Sequence, residues 1–417
     1  MAVLVALALP VLVGSMGLAA ETSYWYVHQR GMQNAADAAA IAAATNGTST
    51  YAAEAQAVAA RDGFQNGSGN VTVTASIPPG CTANCLYTVT VSDKVPLFLS
   101  QVVGYKGTGG KGTTTLAATA VAQNGAAYPY CILALSGSVA TDLVSHGGPK
   151  ANLNGCNIMS DSSATCTGHN LGAAVGDAHG TNNGCGIIQN SNMPMVKDPY
   201  AYLAPNIPAD TCGGSYPQEP FVPPSKNQWS GTYTLSGYDV VCGDQQLTGN
   251  TYINAPSNAV LVIENGQLDT NGFLFQTTAG SGLTVVFTGA PNNGSYQHVP
   301  SNNVPTNGTL DIAAPTSGPW SGMALYQDPN LNDISNNLDI TYKGNSPTWD
   351  ISGMVYLPNS SVTFSGAVNK ASNGLSCFGL TVGNITINGT ADILSNTQCA
   401  AAGLALPTGR HRGTLVD

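Results

Sequence analysis

The runs TYINAP (residues 251–256), AVLVIENGQLDT (259–270) and LTVVFTG (283–289) set the pattern of the larger part of this chain. They are short, rich in β-branched residues and broken by Asn-Gly, Ser-Gly or Pro turns, which is typical of β-strands with tight connections. Similar runs recur at spacings from about ten residues to the low twenties, which fits a sandwich, a barrel or a parallel β-helix. We favour the β-helix, because stacked coils bury Val, Ile and Leu and need few charges outside.

The composition agrees with an ordered protein that has a neutral polar surface. Of the 417 residues 43% are hydrophobic and 8% are charged, and 49 are Gly. The net charge is −10, with 12 Lys and Arg residues. A nucleic-acid-binding protein needs clustered cations on its surface, so nucleic acid is excluded as a primary partner.

The ten cysteines indicate an oxidising compartment, because most of them lie in Gly- and Asn-rich polar sequence. The closest approach to a zinc motif, CTANC (81–85), has no His or second Cys pair nearby. We therefore predict disulfides, and no metal or cofactor. The default for stacked loops is nearest-neighbour pairing: Cys81–Cys85, Cys131–Cys156, Cys166–Cys185, Cys212–Cys242 and Cys377–Cys399.

The chain begins with MAVLVALALPVLVGSMGLAA (1–20), which carries no charge and is long enough to cross a bilayer. A cleavable signal peptide stays an alternative, although the basic n-region of such a peptide is missing. Helix-forming residues continue through YVHQRGMQNAADAAAIAAATNG (26–47). The sequence thus predicts one helix over residues 1–45, the first half suited to lipid and the second to water.

We expect this helix to pack against copies of itself. Small residues near its middle permit close approach of two helices, and a proline permits a kink. Aromatic residues follow at the boundary, and the Ala-rich stretch 35–44 extends the same packing. The predicted assembly residues are Pro10, Gly14, Ser15, Gly17, Ala20, Tyr24, Trp25, Ala35 and Ala39.

Two stretches, MAVLVALALPVLVGSMGLAAETSYWY (1–26) and MQNAADAAAIAAA (32–44), resemble the start of Tad (tight-adherence, Flp-type) pilus proteins of the TadE/TadG-like group. The resemblance implies a pilin-like helix that is held in a bacterial inner membrane before assembly with other pilus components at the cell surface. Val5 stands where major pilins carry a glutamate, so glutamate-guided registration of subunits is not expected. Downstream, AAPTSGPWSGMALYQDPN (313–330) and ISGMVYLPNSSVTFSGA (351–367) resemble the β-solenoid-like region of TadG-like proteins.

The predicted fold class is α+β with four parts. The hydrophobic helix occupies residues 1–45. A small α+β module over 46–124 contains a second helix (51–65) and three strands. The disulfide-stapled β-rich head, for which we favour a β-helix, covers 125–404, and a tail covers 405–417.

No catalytic or metal site is predicted. His146 and His179 lie beside glycines, as turn residues do, and no two aspartates are adjacent as in pectin-cleaving β-helices. In CILALSGSV (131–139), Leu135 takes the place of the aspartate that begins a von Willebrand A-type metal site, and Asp161 lacks a strongly apolar strand before it. The loop with Asp328, Asp333 and Asp339 matches no EF-hand spacing and is interpreted as solvated.

The sequence therefore predicts a non-enzymatic, pilin-like subunit of an extracellular filament. Its partners are copies of itself, the inner membrane before assembly, other pilus components, and a surface carbohydrate or host ligand for the head. Two alternatives stay open: a membrane-anchored surface adhesin that does not polymerise, and a carbohydrate-active β-helix enzyme.

Overall fold

The computed structural model describes residues 2–81, 84–108, 112–125, 127–137, 140–147, 156–290, 298–301, 308–331, 338–344, 349–366, 375–388, 398–410 and 412–416. The chain forms two compact units. The first comprises residues 1–127 and 410–417, and the second comprises residues 128–409.

The helices are α1 (Ala2–Asn46) and α2 (Tyr51–Arg61), with 3₁₀ turns at Ser100–Val103 and Ala201–Asn206. The strands are β1 (Thr72–Ser76), β2 (Leu86–Pro96), β3 (Thr113–Gln123), β4 (Ala127–Ala134), β5 (Leu143–His146), β6 (Asn157–Ser160), β7 (Ala164–Thr167), β8 (Val175–Ala178), β9 (Asn182–Asn183), β10 (Ile188–Asn190), β11 (Gln228–Thr234), β12 (Tyr238–Cys242), β13 (Gln245–Asn254), β14 (Ala259–Glu264), β15 (Leu268–Asp269), β16 (Leu274–Thr277), β17 (Leu283–Thr288), β18 (Pro300–Ser301), β19 (Thr309–Ala313), β20 (Met323–Gln327), β21 (Leu338–Gly344), β22 (Trp349–Gly366), β23 (Phe378–Asn388), β24 (Thr408–Arg410) and β25 (Thr414–Leu415).

In the first unit, α1 and α2 pack on an antiparallel sheet with the strand order β1-β2-β3-β25. The predicted N-terminal helix is confirmed. Its second half buries a stripe of mostly small side chains against this sheet, and each of them is fully buried: Met32, Ala35, Ala36, Ala39, Ala40, Ala43 and Ala44. Ala35 and Ala39 thus belong to the core of their own chain. Their prediction as contacts between copies is corrected, because the sheet already covers them.

The C-terminal residues return to the first unit. Strand β25 pairs with β3, and the backbone N–H of Gly413 donates to Thr45 Oγ1 at 2.9 Å. Residues 405–417, for which the sequence predicts a tail, therefore include a strand of the first sheet. Because β25 is two residues long, its period is too short to be recognised in the sequence.

The second unit is built from parallel ladders, and every strand pair described within it is parallel. One ladder runs in the order β12-β14-β17-β20-β22-β23-β4-β6-β8-β10. A second runs β11-β13-β16-β19-β22, and a third runs β21-β22-β23-β5-β7-β9. The chain is therefore mostly β with a large parallel sheet, as the sequence predicts at that level.

Apolar side chains in register form the core between the ladders. Ile263 lies beside Phe287, and Leu261 lies beside Val285, which in turn lies beside Leu325. All five are buried, and burying one such side chain contributes about 1.5–3 kcal/mol. The β-branched runs of the sequence thus supply the interior of the second unit.

Five disulfides join the ten cysteines, and their partners are those that nearest-neighbour pairing predicts. Cys81–Cys85 lies in the first unit. The other four lie in the second unit: Cys131–Cys156, Cys166–Cys185, Cys212–Cys242 and Cys377–Cys399. The chain has no free cysteine.

Candidate functional site

Helix α1 is more exposed to solvent before residue 31 than after it. Gly14, Met16, Ala19 and Ala20 are exposed, and Met16 keeps 69% of its surface accessible. A Cβ atom added at Gly14 would meet no atom of this chain within 4 Å. This stretch therefore presents small and apolar side chains on an accessible helix surface.

Gly17 has an intrachain role. A Cβ atom at this position would stand 2.7 Å from Cδ1 of Leu99, closer than two carbon atoms can approach. Its small size therefore lets Leu99 pack directly against α1, so Gly17 has a contact within the first unit, and its contact with other copies stays a prediction.

Glu21 joins α1 to the segment before the first 3₁₀ turn. Its carboxylate accepts hydrogen bonds from the backbone N–H groups of Phe98 (2.9 Å), Leu99 (3.0 Å) and Ser100 (2.6 Å), and from the Ser100 hydroxyl (3.1 Å). The side chain is 4% exposed. Burial alone would raise the pKa of Glu21, but the hydrogen bonds from Phe98, Ser100 and Leu99 together bring it below its ordinary value.

The prediction of assembly residues missed Glu21, although the sequence carries a signal. It is the first charged residue of the chain and the one acidic residue before Asp37. A buried carboxylate needs partners, and in this case backbone donors supply them. Glu21 thus ties α1 to its own unit by hydrogen bonds, just after the packing contact of Gly17 with Leu99.

Aromatic side chains surround this junction. The Tyr24 ring packs against His28 (5.7 Å between centroids) and Phe98 (6.4 Å), and the Trp25 ring lies 6.3 Å from Tyr105. Tyr24 and Phe98 are 45% and 64% exposed. The predicted boundary residues Tyr24 and Trp25 thus form part of an accessible aromatic surface within the first unit.

A cavity of about 220 Å³ opens beside this junction. Its lining residues are Leu18, Glu21, Thr22, Trp25, Ser100 and Tyr105. The Trp25 Nε1–H is buried and has no acceptor in the described part of the chain. Nearby, His28 Nε2 lies 2.9 Å from Asp93 Oδ2 and ties α1 to β2.

Two further predicted assembly residues, Pro10 and Ser15, lie in the first half of α1. Helix α1 continues through Pro10, whose side chain lies outside the described part of the structure. Ser15 is exposed on the same helix. Among the residues whose placement is described, no helix is long and apolar enough to cross a membrane.

The residues considered for chemistry in the sequence are scattered. The His146 ring is exposed, with Nδ1 3.2 Å from Thr167 Oγ1, whereas His179 Nδ1 lies 2.8 Å from the Met193 carbonyl oxygen. Asp328 accepts hydrogen bonds from Thr288 and Asn330. The other two aspartates of that loop lie outside what is described: Asp333 altogether, and Asp339 in its side chain. In the described ranges, no three His, Cys, Asp or Glu side chains are grouped so that they could hold a metal ion.

Leu135 and Asp161 both line one cavity of about 700 Å³ in the second unit. Its lining residues are Leu135, Ser136, Asp161, Met195, Val196, Lys197, Asp198, Pro329, Pro358, Asn359, Ser360, Gly383 and Asn384. Burial raises the pKa of Asp161 to about 6, against the lowering effect of a hydrogen bond from the Val196 N–H. Sequence reasoning considered both residues for a metal site and did not foresee this cavity.

Comparison with known proteins finds a likeness over the N-terminal helix. The family model described as "Putative Flp pilus-assembly TadE/G-like" matches residues 1–46, which is α1 together with Met1. The match covers 46 of the 417 residues. Neither the curated proteins nor the solved structures contain a match.

Proposed function

We propose that this chain is a pilin-like structural subunit of a Tad-type pilus. The observation that carries the proposal is the coincidence of the family match with α1. The last part of this helix is buried under its own sheet, whereas Gly14, Ala19 and Ala20 are exposed. In this proposal, residues 1–20 pack against the same residues of neighbouring copies.

Helix geometry supports that arrangement. Residues 2–20 rise by about 28 Å at 1.5 Å per residue, and small side chains permit close contact between helices. The Glu21 hydrogen bonds tie α1 to the segment before the first 3₁₀ turn. Such a helix connects the proposed filament core to the first unit without a flexible linker.

The second unit is then the part displayed for adhesion. We propose that its parallel ladders form a β-helix and that it binds a surface carbohydrate or host ligand rather than catalysing a reaction. The register of successive strands and the aligned apolar core support a solenoid. The five disulfides support folding outside the cytoplasm. This location agrees with passage through the inner membrane and assembly with other pilus components.

Electron microscopy of three purified forms tests the proposal: the full chain, a chain without residues 1–20, and the variant Gly14→Leu. We expect filaments from the full chain, monomers from the truncated chain, and impaired assembly from Gly14→Leu with an unchanged melting temperature. Gly14 suits this test because a Cβ atom added there would meet no described atom outside its own stretch of helix within 4 Å. Filaments from the truncated chain contradict the proposal, and a full chain that stays monomeric favours the non-polymerising surface adhesin instead.

A further inference from the structure

The cavity of the second unit lies beside five strands of one ladder, where β20, β4 and β6 end and where the pairing of β22 with β23 shifts register between Leu357 and Ser361. In ladder order, β20, β22, β23, β4 and β6 contribute or precede its lining residues Pro329, Pro358, Gly383, Leu135 and Asp161. Neighbouring strands lie about 4.8 Å apart, so five strands span about 19 Å. The cavity is therefore an elongated groove built on the rigid part of the unit.

Asp161 gives the groove an acceptor that the protein does not use. The residue is 3% exposed, and its Oδ1 accepts a hydrogen bond from the Val196 N–H at 2.7 Å. Its Oδ2 has no hydrogen-bond partner in the described part of the chain, although the residue lines the groove. This oxygen is not one of the fully buried side-chain oxygens that lack a partner, so it is accessible from the groove, and a ligand that supplies a donor there gains a hydrogen bond to a charged group.

Asn359 is a second polar side chain that lines the groove. Its Nδ2–H donates to the Asp328 carbonyl oxygen at 3.3 Å, and its backbone N–H donates to Gln327. Asn384 also lines the groove, and its amide lies 3.1 Å from Ser361 Oγ. The Asn359 amide can both donate to and accept from a ligand hydroxyl. In the orientation that satisfies both of its amide atoms, Asn384 donates to the Gly383 carbonyl oxygen and to Asp142 Oδ1, so towards a ligand it acts as an acceptor.

The charges of the groove disfavour anionic ligands. Asp198 also lines it, and its carboxylate is held by hydrogen bonds from the Tyr356 hydroxyl and the Tyr200 N–H. Two carboxylates and the single ammonium group of Lys197 in the lining repel a polyanion more than they attract it. A neutral ligand meets no such repulsion.

We propose that this groove binds a neutral saccharide. Sugar hydroxyls donate to Asp161 and Asn384 and exchange hydrogen bonds with Asn359. The C–H face of a sugar ring packs on the apolar wall made by Pro329, Pro358 and Met195. The inference specifies the ligand class of the adhesive unit, so its biological role rests on the proposed function, whereas the binding itself does not require polymerisation.

A glycan array that contains neutral and acidic saccharides, probed with the full chain, tests the proposal. We expect neutral saccharides to bind, and the best of them is then titrated by calorimetry. Asp161→Asn keeps the acceptor for Val196 but removes the unused carboxylate oxygen, and we expect binding to weaken about tenfold, as loss of one hydrogen bond to a charged group implies. Asn359→Ala, a second variant that does not alter the buried carboxylate, weakens binding in the same direction.

Asp244→Asn is the matched control. Asp244 is also buried, has a raised pKa and accepts backbone hydrogen bonds from Glu219 (3.0 Å) and Gln267 (3.1 Å), but it does not line the groove. We expect unchanged binding in this variant and a change of less than about threefold in Lys197→Ala, because its cation lies at the exposed edge.

Four results overturn the inference: no neutral saccharide binds, Asp161→Asn and Asn359→Ala bind like the parent, the ligands are acidic and depend on Lys197, or the saccharide is cleaved. Filament images of the same preparation separate this inference from the proposed function. Binding without filaments contradicts the pilus role alone, and filaments without binding contradict the saccharide site alone.

Discussion

Replacing Glu21 with Gln tests whether one buried carboxylate joins the assembly helix to its own unit. In the folded chain the two carboxylate oxygens accept four hydrogen bonds, three from backbone N–H groups and one from the Ser100 hydroxyl. Gln has a similar shape, but it has one acceptor oxygen and an amide nitrogen that donates. The NH₂ group of the variant therefore faces groups that are donors themselves.

The expected cost follows from the number of bonds lost. A hydrogen bond to a charged group contributes about 1.5–3 kcal/mol, and Gln keeps two of the four, which gives about 3–6 kcal/mol. Phe98 and Leu99 are largely exposed, so water replaces part of the loss. We expect the free energy of unfolding of the first unit to fall by about 2–4 kcal/mol.

Urea unfolding and amide hydrogen exchange measure this effect. We expect the amides of residues 98–100 to exchange faster in Glu21→Gln, while Glu54→Gln, an exposed change on α2, leaves both measurements unchanged. The folded pKa of Glu21 lies below its ordinary value, so its contribution is present above the unfolded pKa and is lost as the pH falls through the folded pKa. The difference between parent and variant should therefore shrink in acid. Equal stability of Glu21→Gln and Glu54→Gln at neutral pH refutes the reasoning.

Two further predictions concern stability. Gly17→Leu should lower the melting temperature of the first unit, because the new side chain collides with Leu99, whereas Gly14→Leu should not; equal melting temperatures contradict the assignment of Gly17 to an intrachain contact. Burial, as the largest cause, raises the pKa of Glu219 to about 8 and that of Glu264 to about 7. The folded state thus binds protons more tightly than the unfolded state, so the free energy of unfolding should rise from pH 8 towards pH 5, by about 1.4 kcal/mol per pKa unit and group. A melting temperature that falls over the same range contradicts this assignment.

The bounds of the N-terminal helix, but not its packing, could be predicted from the sequence pattern. Its position follows from continuous helix-forming residues between Met1 and Thr45, and α1 agrees within a residue at each end. The sequence cannot say what covers a stripe of small residues, because a sheet of the same chain and a helix of another copy both accept Ala35 and Ala39 equally well. The same uncertainty applied to Gly17, which packs against Leu99, a residue far away in the sequence.

The second unit shows a different limit. Runs such as 259–264 and 283–288 predict strands, and these two strands are indeed neighbours. Yet β23 pairs with β4, so the first strands of the unit stack beside one of the last. Ladder order depends on pairings distant in sequence, which composition and spacing do not encode.

The groove was missed for the same reason. Leu135, Asp161 and Gly383 become neighbours through the stacking of β4 and β6 beside β23. Considered alone in the sequence, each of these three residues fits a turn after a strand. The disulfides were easier to predict, because each joins cysteines only 4 to 30 residues apart. Pairing each cysteine with its nearest neighbour in the sequence therefore gives the observed bonds.

Cross-linking through a cysteine in place of Ala20 tests the central claim most directly. All ten native cysteines are in disulfides, so the new thiol is the reactive one, and Ala20 is exposed on α1. After mild oxidation of assembled material, we expect covalent dimers from Ala20→Cys and none from Glu54→Cys, an exposed position on α2. If Ala20→Cys stays monomeric while the material is polymerised, or if both variants cross-link equally, residues 1–20 do not form the contact between copies.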